Sequence, residues 1–257
     1  PPETPGGDGP TTTTASTTTT AVSTTTTAPT TTSTAPTTTT TASPTTTTAP
    51  PGPPTDGAFS EGVSVSEVGY DSSEPRVAFD REGDALLVWV RVSHEYPHPR
   101  RVQIMPRSRA GAWGSIVTLS PPGQAPHSPK VALDDDGDAV VVWHGFDGSD
   151  NNVYAQRVSR TGTVGTLQVL SPAGVTIYGT DVAVDSDGDA VVTWAEYRDG
   201  SVFPKKRRFT SDGSLSETTV LSSSPAHADA PAVAFDREGD AVLAWANDNV
   251  VQARTLS

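Results

Sequence analysis

Acidic side chains recur in this sequence at spacings that suit a divalent cation. Four short segments each carry carboxylates at alternate positions around a glycine turn. Calcium takes about six to eight oxygen ligands, and a glycine lets a loop wrap around the ion. The candidate metal ligands are Asp134, Asp136, Asp138, Asp185, Asp187 and Asp189. Calcium is therefore the one metal cofactor that these side chains suggest.

The same turns have a structural explanation that needs no metal. Asp or Glu before Gly is typical of a type I turn with a bulge, in which aspartate accepts hydrogen bonds from backbone amides. The acidic pattern occurs in all four segments, whereas a ligand site usually differs between repeats. The sequence also has no counterpart of the bidentate Glu that ends an EF-hand loop. We therefore favour structural turns and predict no cofactor, with calcium as the alternative.

Side chains that suit a sugar or protein ligand lie where the repeats differ, in the loops that follow each conserved Trp. Carboxylates and amides bond sugar hydroxyls, and aromatic rings cover sugar faces. The candidate ligand-binding residues are Tyr96, Asp147, Asp150, Asn151, Tyr197, Asp199, Asn247 and Asp248. The alternative is that these loops are polar because they face water. The histidines His94 and His98 are a weaker candidate metal pair, since nothing in a loop makes them converge.

The elements that must position these residues follow from an internal repeat. Four segments superimpose without gaps, and their final Trp recurs at spacings of 54, 51 and 51 residues. Each segment joins two apolar, β-branched runs by a polar glycine turn, which indicates a hairpin. A third and a fourth strand follow, and four strands in about 50 residues predict a β-propeller blade. The segments are 75–89 (PRVAFDREGDALLVW), 129–143 (PKVALDDDGDAVVVW), 180–194 (TDVAVDSDGDAVVTW) and 231–245 (PAVAFDREGDAVLAW).

The two ends of the repeat array complement each other. Residues 58–66 align with the fourth strand of a blade, and 250–254 align with a third strand that has no fourth after it. Pairing these two ends would complete the last blade and remove exposed edges. We therefore predict an all-β fold of four blades, each with four antiparallel strands, in a monomeric ring. The alternatives are a fragment of a longer array and association into a larger ring.

A different composition precedes the repeats. Residues 11–50 contain 25 threonines, and no aromatic residue occurs before Phe59. Such a stretch has too little apolar surface to offset the entropy of ordering it. We predict that residues 1–57 are a disordered Thr/Pro-rich stalk that carries O-glycans, or else a plain linker, and that 58–257 are the propeller. Because the chain begins at Pro1 and not Met, we expect that a leader was removed and that the protein is extracellular or cell-surface associated.

Charge and hydropathy exclude several partners. The net charge is −13, and −10 of it lies on residues 58–257. A domain this acidic is a poor nucleic-acid binder, since phosphates require clustered Lys and Arg. The single basic run, 205–208, is expected to be a solvated strand edge. No run of about 18 apolar residues exists, so we predict no membrane insertion in this segment.

The fourfold pattern V-A-x-D-x-[DE]-G-D-A-x-x-x-W resembles secreted bacterial β-propeller repeat proteins and, more loosely, kelch-like and sialidase-like propellers. It departs from the sialidase Asp-box, because Trp89 lies six residues after Gly83 and not three. Neither the three-arginine clamp nor the tyrosine nucleophile of sialidases can be assigned. The resemblance therefore implies the fold and leaves the function open.

The function predicted from these residues is an extracellular, non-catalytic recognition module that binds a glycan or a protein through its variable loops. One alternative is a glycoside-active, sialidase-like enzyme with paired carboxylates in a deep central pocket. Another is a structural spacer in a larger surface protein. The sequence contains no serine-nucleophile elbow and no glycine-rich phosphate loop, so enzyme chemistry has no motif in its favour.

Overall fold

The computed structural model describes residues 60–222, 231–248 and 250–257. These residues form β-strands and no helix, so the predicted all-β fold class is confirmed. It follows that this part of the chain offers no apolar helix of membrane-spanning length. The predicted stalk, 1–57, lies outside the described residues, as do the first two residues of the predicted propeller.

The strands form four antiparallel sheets, each made of strands that are consecutive in the chain. Sheet 1 contains β1 (Tyr70–Phe79), β2 (Ala85–Ser93), β3 (Arg100–Arg107) and β4 (Val117–Thr118). Sheet 2 contains β5 (Ala125–Leu133), β6 (Ala139–Phe146), β7 (Asn151–Val158) and β8 (Gln168–Val169). Sheet 3 contains β9 (Thr176–Val184), β10 (Ala190–Arg198), β11 (Ser201–Phe209) and β12 (Thr219–Val220). Sheet 4 contains β13 (Ala232–Phe235), β14 (Ala241–Asn247) and β15 (Val250–Leu256).

The repeated segments form the predicted hairpins, as the second one illustrates. Val131 lies opposite Val141 across β5 and β6. In the turn between them, the Oδ1 atom of Asp134 accepts hydrogen bonds from the amides of Asp136 and Asp138, at 3.0 and 2.9 Å. In a four-residue turn of this kind, the carboxylate of the first aspartate therefore accepts hydrogen bonds from the backbone amides of the turn itself.

The turn glycine has a second role between sheets. Gly137 has a φ of +84°, which L-residues rarely adopt. A Cβ at this position would also lie 2.8 Å from Oδ2 of Asp80, in the corresponding turn of sheet 1. Gly188 lies over Asp134 in the same way, with its hypothetical Cβ at 3.1 Å from Oδ2. Glycine therefore lets the turn of one sheet stack on the turn of the sheet before it.

The core consists of three apolar layers, each between adjacent sheets. One layer packs Val88 and Ile104 of sheet 1 against Trp143 of sheet 2. The next layer joins sheets 2 and 3 around Trp194, and the third joins sheets 3 and 4 around Trp245. Trp143 and Trp194 are fully buried, so the Trp that ends each repeated segment serves in these sheets as a core residue between blades.

The four sheets follow one another as an open row, which differs from the predicted closed ring. Extensive packing joins sheet 1 to 2, 2 to 3 and 3 to 4, and no comparable packing joins sheet 4 to sheet 1 within the described residues. The predicted N-terminal strand does not complete the last blade. Residues 60–69 form no strand, and sheet 4 has three strands among the described residues. Because these residues directly precede β1, they lie at the sheet 1 end, where Glu67 accepts a hydrogen bond from Arg91 at 2.8 Å.

The basic run 205–208 is not the solvated strand edge that the sequence predicts. It lies in β11, which β12 covers, and the side chain of Lys205 is only 13% exposed. The Lys205 ammonium lies 2.6 Å from Oε2 of Glu196, which is fully buried on β10. Arg208 pairs with Asp189 at 2.8 Å. The run is basic because it neutralises buried and half-buried carboxylates of its own sheet.

Candidate functional site

The propeller has two faces with different chemistry. One, the turn face, carries the acidic turns at the ends of the repeated hairpins. The opposite one, the loop face, carries the β2–β3, β6–β7 and β10–β11 loops together with the first residues of β1, β5 and β9. These first strands are the innermost of each sheet, since the contacts between neighbouring sheets include β1 with β5 and β5 with β9. A ligand that reaches the centre of the loop face would therefore meet these strand ends.

The predicted residues in the β6–β7 loop hold that loop together. The Oδ1 atom of Asp147 accepts hydrogen bonds from the Ser149 and Asp150 amides, which lower the pKa of its carboxyl. Its Oδ2 atom accepts from Asn152 and from the Tyr154 hydroxyl. Asp150 accepts from the Gly174 amide of the next sheet at 2.8 Å. Both carboxylates are thus engaged within the protein before any ligand arrives.

The other predicted ligand-binding residues are spread over the loop face. Tyr96 is 91% exposed, and its ring meets His98 edge to face at 6.2 Å. Asn247 is buried, and its side-chain amide donates to Gln252 at 3.1 Å. The remaining three occupy strand ends and tight turns: Asn151 begins β7, and Asp199 and Asp248 have φ values of +52° and +46°. Their role in binding remains a prediction.

Tyr197 belongs to a pair of aromatic rings that the sequence did not bring together. It is the penultimate residue of β10 and is 41% exposed, and its ring meets that of Tyr178 edge to face at a centroid distance of 6.2 Å. Tyr178 lies on the innermost strand β9 and is 50% exposed. The tyrosine pair, Tyr178 and Tyr197, therefore offers two fixed rings with accessible surface and hydroxyl groups.

A polar cluster lies beside the same strand ends, between sheets 1 and 2. Glu74 on β1 accepts a hydrogen bond from Arg100 at 2.8 Å through Oε1. Its Oε2 atom accepts from the backbone amide of Ser128 on β5. Arg100 also donates to the carbonyl of Pro126 at 3.0 Å, and the His127 imidazole lies 3.9 Å from Oε1 of Glu74. We call Glu74, Arg100, His127 and His144 the inner-strand cluster.

The two histidines of the cluster stack on each other, and both are held neutral. Their rings lie 6.1 Å apart with an interplanar angle of 22°. Burial, with a smaller contribution from His127, lowers the pKa of His144 to about 4. Burial and the positive charge of Arg100 also lower the pKa of His127. The Nδ1 atom of His144 is buried and has no hydrogen-bond partner in the described part of the chain.

A backbone irregularity explains why these residues converge. Glu74, Ser128 and Gly179 occupy equivalent positions in β1, β5 and β9, and all three have left-handed φ values of 56°, 49° and 56°. The register of pairing shifts at each of these places. A bulge of this kind bends a strand and re-aims its side chains. Here it places the Glu74 carboxylate at the Ser128 amide of the next sheet.

A sequence signal for the cluster exists, but it lies on the innermost strands and not in the variable loops. The repeats agree from the Val-Ala of each innermost strand onward but differ just before it. The position before the bulge is Ser73, His127 and Tyr178 in successive sheets, and the bulge itself is Glu74, Ser128 or glycine. Variation on an innermost strand, not only in loops, was therefore the informative feature.

Four of the six aspartates proposed as calcium ligands accept hydrogen bonds within the protein: Asp134, Asp138, Asp185 and Asp189. Oδ1 of Asp185 accepts from the amides of Asp187 and Asp189 at 3.0 and 2.8 Å. In sheets 1 to 3, the last acid of the motif binds the hairpin between the third and fourth strands, as Asp138 does with the Arg160 amide at 2.8 Å. No group of three or more potential metal-ligating side chains occurs within the described residues. Calcium binding by these six aspartates stays a prediction for experiment.

Comparisons with known proteins identify the fold and no family. No protein-family model matches the chain, and no curated protein matches it. A solved structure of unknown function from Dyadobacter fermentans is 12% identical, with a TM-score of 0.50 over 68% of this chain and 50% of that one. An endo-arabinase from Bacteroides thetaiotaomicron is 16% identical, with a TM-score of 0.47 over 76% of this chain and 78% of that one.

A third similar structure is the GH93 α-L-arabinofuranosidase of Fusarium graminearum with arabinobiose. It is 12% identical, with a TM-score of 0.47 over 70% of this chain and 58% of that one. This chain thus spans between half and four fifths of the structures that it resembles. At these identities the likeness concerns the propeller fold alone.

Proposed function

We propose that this protein binds carbohydrate at the centre of its loop face, between the tyrosine pair and the inner-strand cluster. Sugars combine apolar ring faces with hydroxyl groups, so a site for them needs exposed aromatic rings beside fixed donors and acceptors. The single observation that carries the proposal is the half-exposed Tyr178–Tyr197 pair on the sheet next to His127. The glycan is expected to lie outside the cell, as the Thr-rich segment suggests.

The polar groups of the cluster are suited to orient a bound sugar. Arg100 and the Ser128 amide hold the Glu74 carboxylate from both oxygens, so it loses little freedom when a hydroxyl approaches. His127 is about half exposed and neutral imidazole both donates and accepts. Further along, Lys130 and Asp181 form a 3.7 Å ion pair that links β5 to β9. The innermost strands therefore carry both hydrogen-bond donors and acceptors.

A glycan-binding screen followed by calorimetry tests the proposal. Tyr178→Ala is expected to weaken binding of the best glycan at least about tenfold, because stacking and hydroxyl contacts are lost together. Trp113→Ala is the matched control, since Trp113 is a similarly exposed aromatic residue, 38% accessible, in a hairpin of the turn face. Equal affinities for Tyr178→Ala and the unaltered chain would contradict a site at the tyrosine pair.

A second candidate function is cleavage of a glycosidic bond at the same place. The favouring observation is the oriented carboxylate of Glu74 beside a neutral imidazole, 3.9 Å away. Glycoside hydrolysis requires a second carboxylate about 5 to 9.5 Å from the first. On the innermost strands, Asp71 of β1 and Asp181 of β9 are the candidates. Asp71 already contacts the His94 imidazole at 3.0 Å, and Asp181 contacts the Lys130 ammonium at 3.7 Å.

Product analysis separates the two functions. The chain is incubated with a panel of polysaccharides that includes arabinan, and released reducing sugars are measured. Catalysis predicts release that falls at least about a hundredfold in Glu74→Gln, with glycan affinity kept within a few-fold. If the unaltered chain binds a polysaccharide but releases no reducing sugar from it, recognition remains the proposed function. Hydrolysis is then excluded for the polymers tested.

A further inference from the structure

The outermost sheets carry apolar side chains that the other sheets bury. Leu86, Val140, Val191 and Val242 occupy the same position in successive sheets, on the side that faces the next sheet. Their exposures are 5%, 0%, 0% and 51%. Val251 of β15 is 76% exposed, whereas its counterparts in sheets 1 and 2 are fully buried. We call Val242, Ala244, Ala246, Val251 and Ala253 the outer face of sheet 4.

Sheet 1 has a complementary side that is open along β1, although Trp89 on the same side is only 4% exposed. Val77 on β1 is 54% exposed, whereas its counterparts Val182 and Val233, which face the preceding sheet, are 7% and 8% exposed. Phe79, two residues further, is 60% exposed. We call Val77, Phe79 and Leu87 the outer face of sheet 1. The two outer faces are homologous to the two halves of an interface that the chain already forms three times.

Charges at these ends are also arranged as in the internal interfaces. Arg160 of sheet 2 reaches back to sheet 1, where it binds Glu82 at 2.8 Å and also Asp84. The equivalent of Arg160 in sheet 1 is Arg109, and the equivalent of Glu82 in sheet 4 is Glu238. A sheet 1 placed after sheet 4 would therefore bring Arg109, which binds Glu82 of its own sheet at 2.8 Å, next to Glu238.

The chain segment before β1 is shaped for the same arrangement. Val65–Ser66 aligns with Leu119–Ser120, which follows β4 and leads into the next sheet. The connector glycines Gly69 and Gly123 share a φ of +89°. The segment before Leu119–Ser120 is β4, which pairs with β3. The corresponding segment before β1, residues 60–66, has no partner strand within the described residues, and Val63 is 56% exposed. By sequence they align with a fourth strand, but they form no strand in one chain.

We propose that the outer face of sheet 4 binds the outer face of sheet 1 of a second copy of this chain. Residues 60–66 of the second copy then pair with β15 and supply the fourth strand of sheet 4, just as β4 precedes β5 within one chain. In the proposed dimer a twofold axis relates the two copies, so that the two different surfaces meet twice and the ring closes. This arrangement replaces the monomeric ring expected from the sequence.

Light scattering and sedimentation of the full chain across a range of concentrations test the proposal. The expected mass at high concentration is about twice the 26.6 kDa of one chain. Val251→Glu is expected to raise the dimer dissociation constant at least about tenfold, because the interface would bury an unpaired carboxylate. Val169→Glu is the matched control, since Val169 is 48% exposed on the short outermost strand β8 and outside both faces. The melting temperature shows whether each variant remains folded.

A charge reversal provides an independent readout. Within the chain, Arg81 of sheet 1 pairs with Asp135 of sheet 2 at 2.9 Å. In the proposed dimer the same two positions hold Arg237 and Arg81, which repel each other. Arg237→Glu is therefore expected to strengthen dimerisation a few-fold, the size of an exposed ion pair.

Hydrogen exchange locates the added strand. The amides of residues 63–66 are expected to exchange slowly in the dimer and rapidly in Val251→Glu. A chain that stays monomeric at every concentration overturns the proposal, and slow exchange at 63–66 in that monomer would indicate closure within one chain. A dimer that Val251→Glu leaves intact also overturns it. Because none of these measurements involves a sugar, failure here leaves the proposed function untouched.

Discussion

At the scale of single residues, the chemistry of this protein depends on groups whose environment differs from that of their counterparts in other repeats. His144 stands where the equivalent residues are Val90, Ala195 and Ala246. It replaces a small apolar side chain by a titratable one, in a place where burial lowers its pKa to about 4. At this repeat position the chain has a neutral imidazole in place of an apolar side chain. We infer that His144 is kept for a reason other than stability.

His144 should make the fold sensitive to acid. Its pKa falls from 6.5 in the unfolded chain to about 4 in the folded one, so between these pH values the unfolded chain binds a proton that the folded chain does not. The free energy of unfolding is therefore complete above pH 6.5 and decreases as the pH falls toward 4, by about 2 kcal/mol at pH 5. His144→Val, the residue type of sheet 1, should remove most of this decrease. Urea unfolding at pH 5 and 7.5 measures it, and equal pH dependence in both proteins would contradict the assignment.

At the scale of elements, the acidic turn connects one sheet to the next as well as one strand to the next. The first aspartate caps its own turn, the glycine lets the following turn stack on that carboxylate, and the last acid binds the neighbouring hairpin. Asp134 is 9% exposed because sheet 3 covers it, whereas Asp236 in sheet 4 is exposed. The same four-residue motif is thus buried or solvated according to whether a sheet follows.

This difference predicts unequal costs for the same substitution. Asp134→Ala leaves two part-buried amides without their acceptor, so we expect it to lower the free energy of unfolding by about 2 kcal/mol. Asp236→Ala exposes the same amides to water in the monomer and should cost about 1 kcal/mol or less. Denaturant unfolding compares the two variants. If the turns are structural, added calcium leaves the melting temperature of the unaltered chain unchanged, and a shift with calcium but not magnesium would favour the metal hypothesis instead.

The sequence predicts individual elements better than it predicts the contacts between them. The hairpins and the buried Trp143 follow from a local pattern, because the period of two, the glycine turn and β-branched residues act over a few positions. The inner-strand cluster does not, because Glu74 meets Ser128 across 54 residues through a bulge that no local propensity specifies. The ion pair of Lys205 with Glu196 could not be predicted for a related reason. A basic run is expected to be solvated unless the strand that pairs with it is known to carry a buried carboxylate. Residues 60–66 have the sequence of a fourth strand, yet the partner of that strand depends on how the sheets are arranged.

At the scale of the whole molecule, three interfaces hold the four sheets in a row, and two homologous faces remain uncovered by any other described sheet. Burial at a repeat position therefore depends on the place of the sheet in the row and not on the residue itself. Val140 and Val242 have the same side chain and the same position in their repeats, but exposures of 0% and 51%. Comparison of these two valines separates the effect of packing between sheets from the effect of strand propensity, because both lie at the same position of the second strand of their sheets.

Val140→Ala should lower the free energy of unfolding by about 2 kcal/mol, because it removes two buried methyl groups and leaves a cavity between sheets 2 and 3. Val242→Ala, made in the Val251→Glu background that keeps the chain monomeric, should cost less than about 0.5 kcal/mol, as expected for an exposed substitution. Val140→Ala is made in that same background, and urea unfolding gives both values. If the two substitutions cost the same, the outer face of sheet 4 is covered in the monomer and the row of sheets closes on itself. If they differ as expected, the apolar surface of sheet 4 is free in one chain and is available to a second.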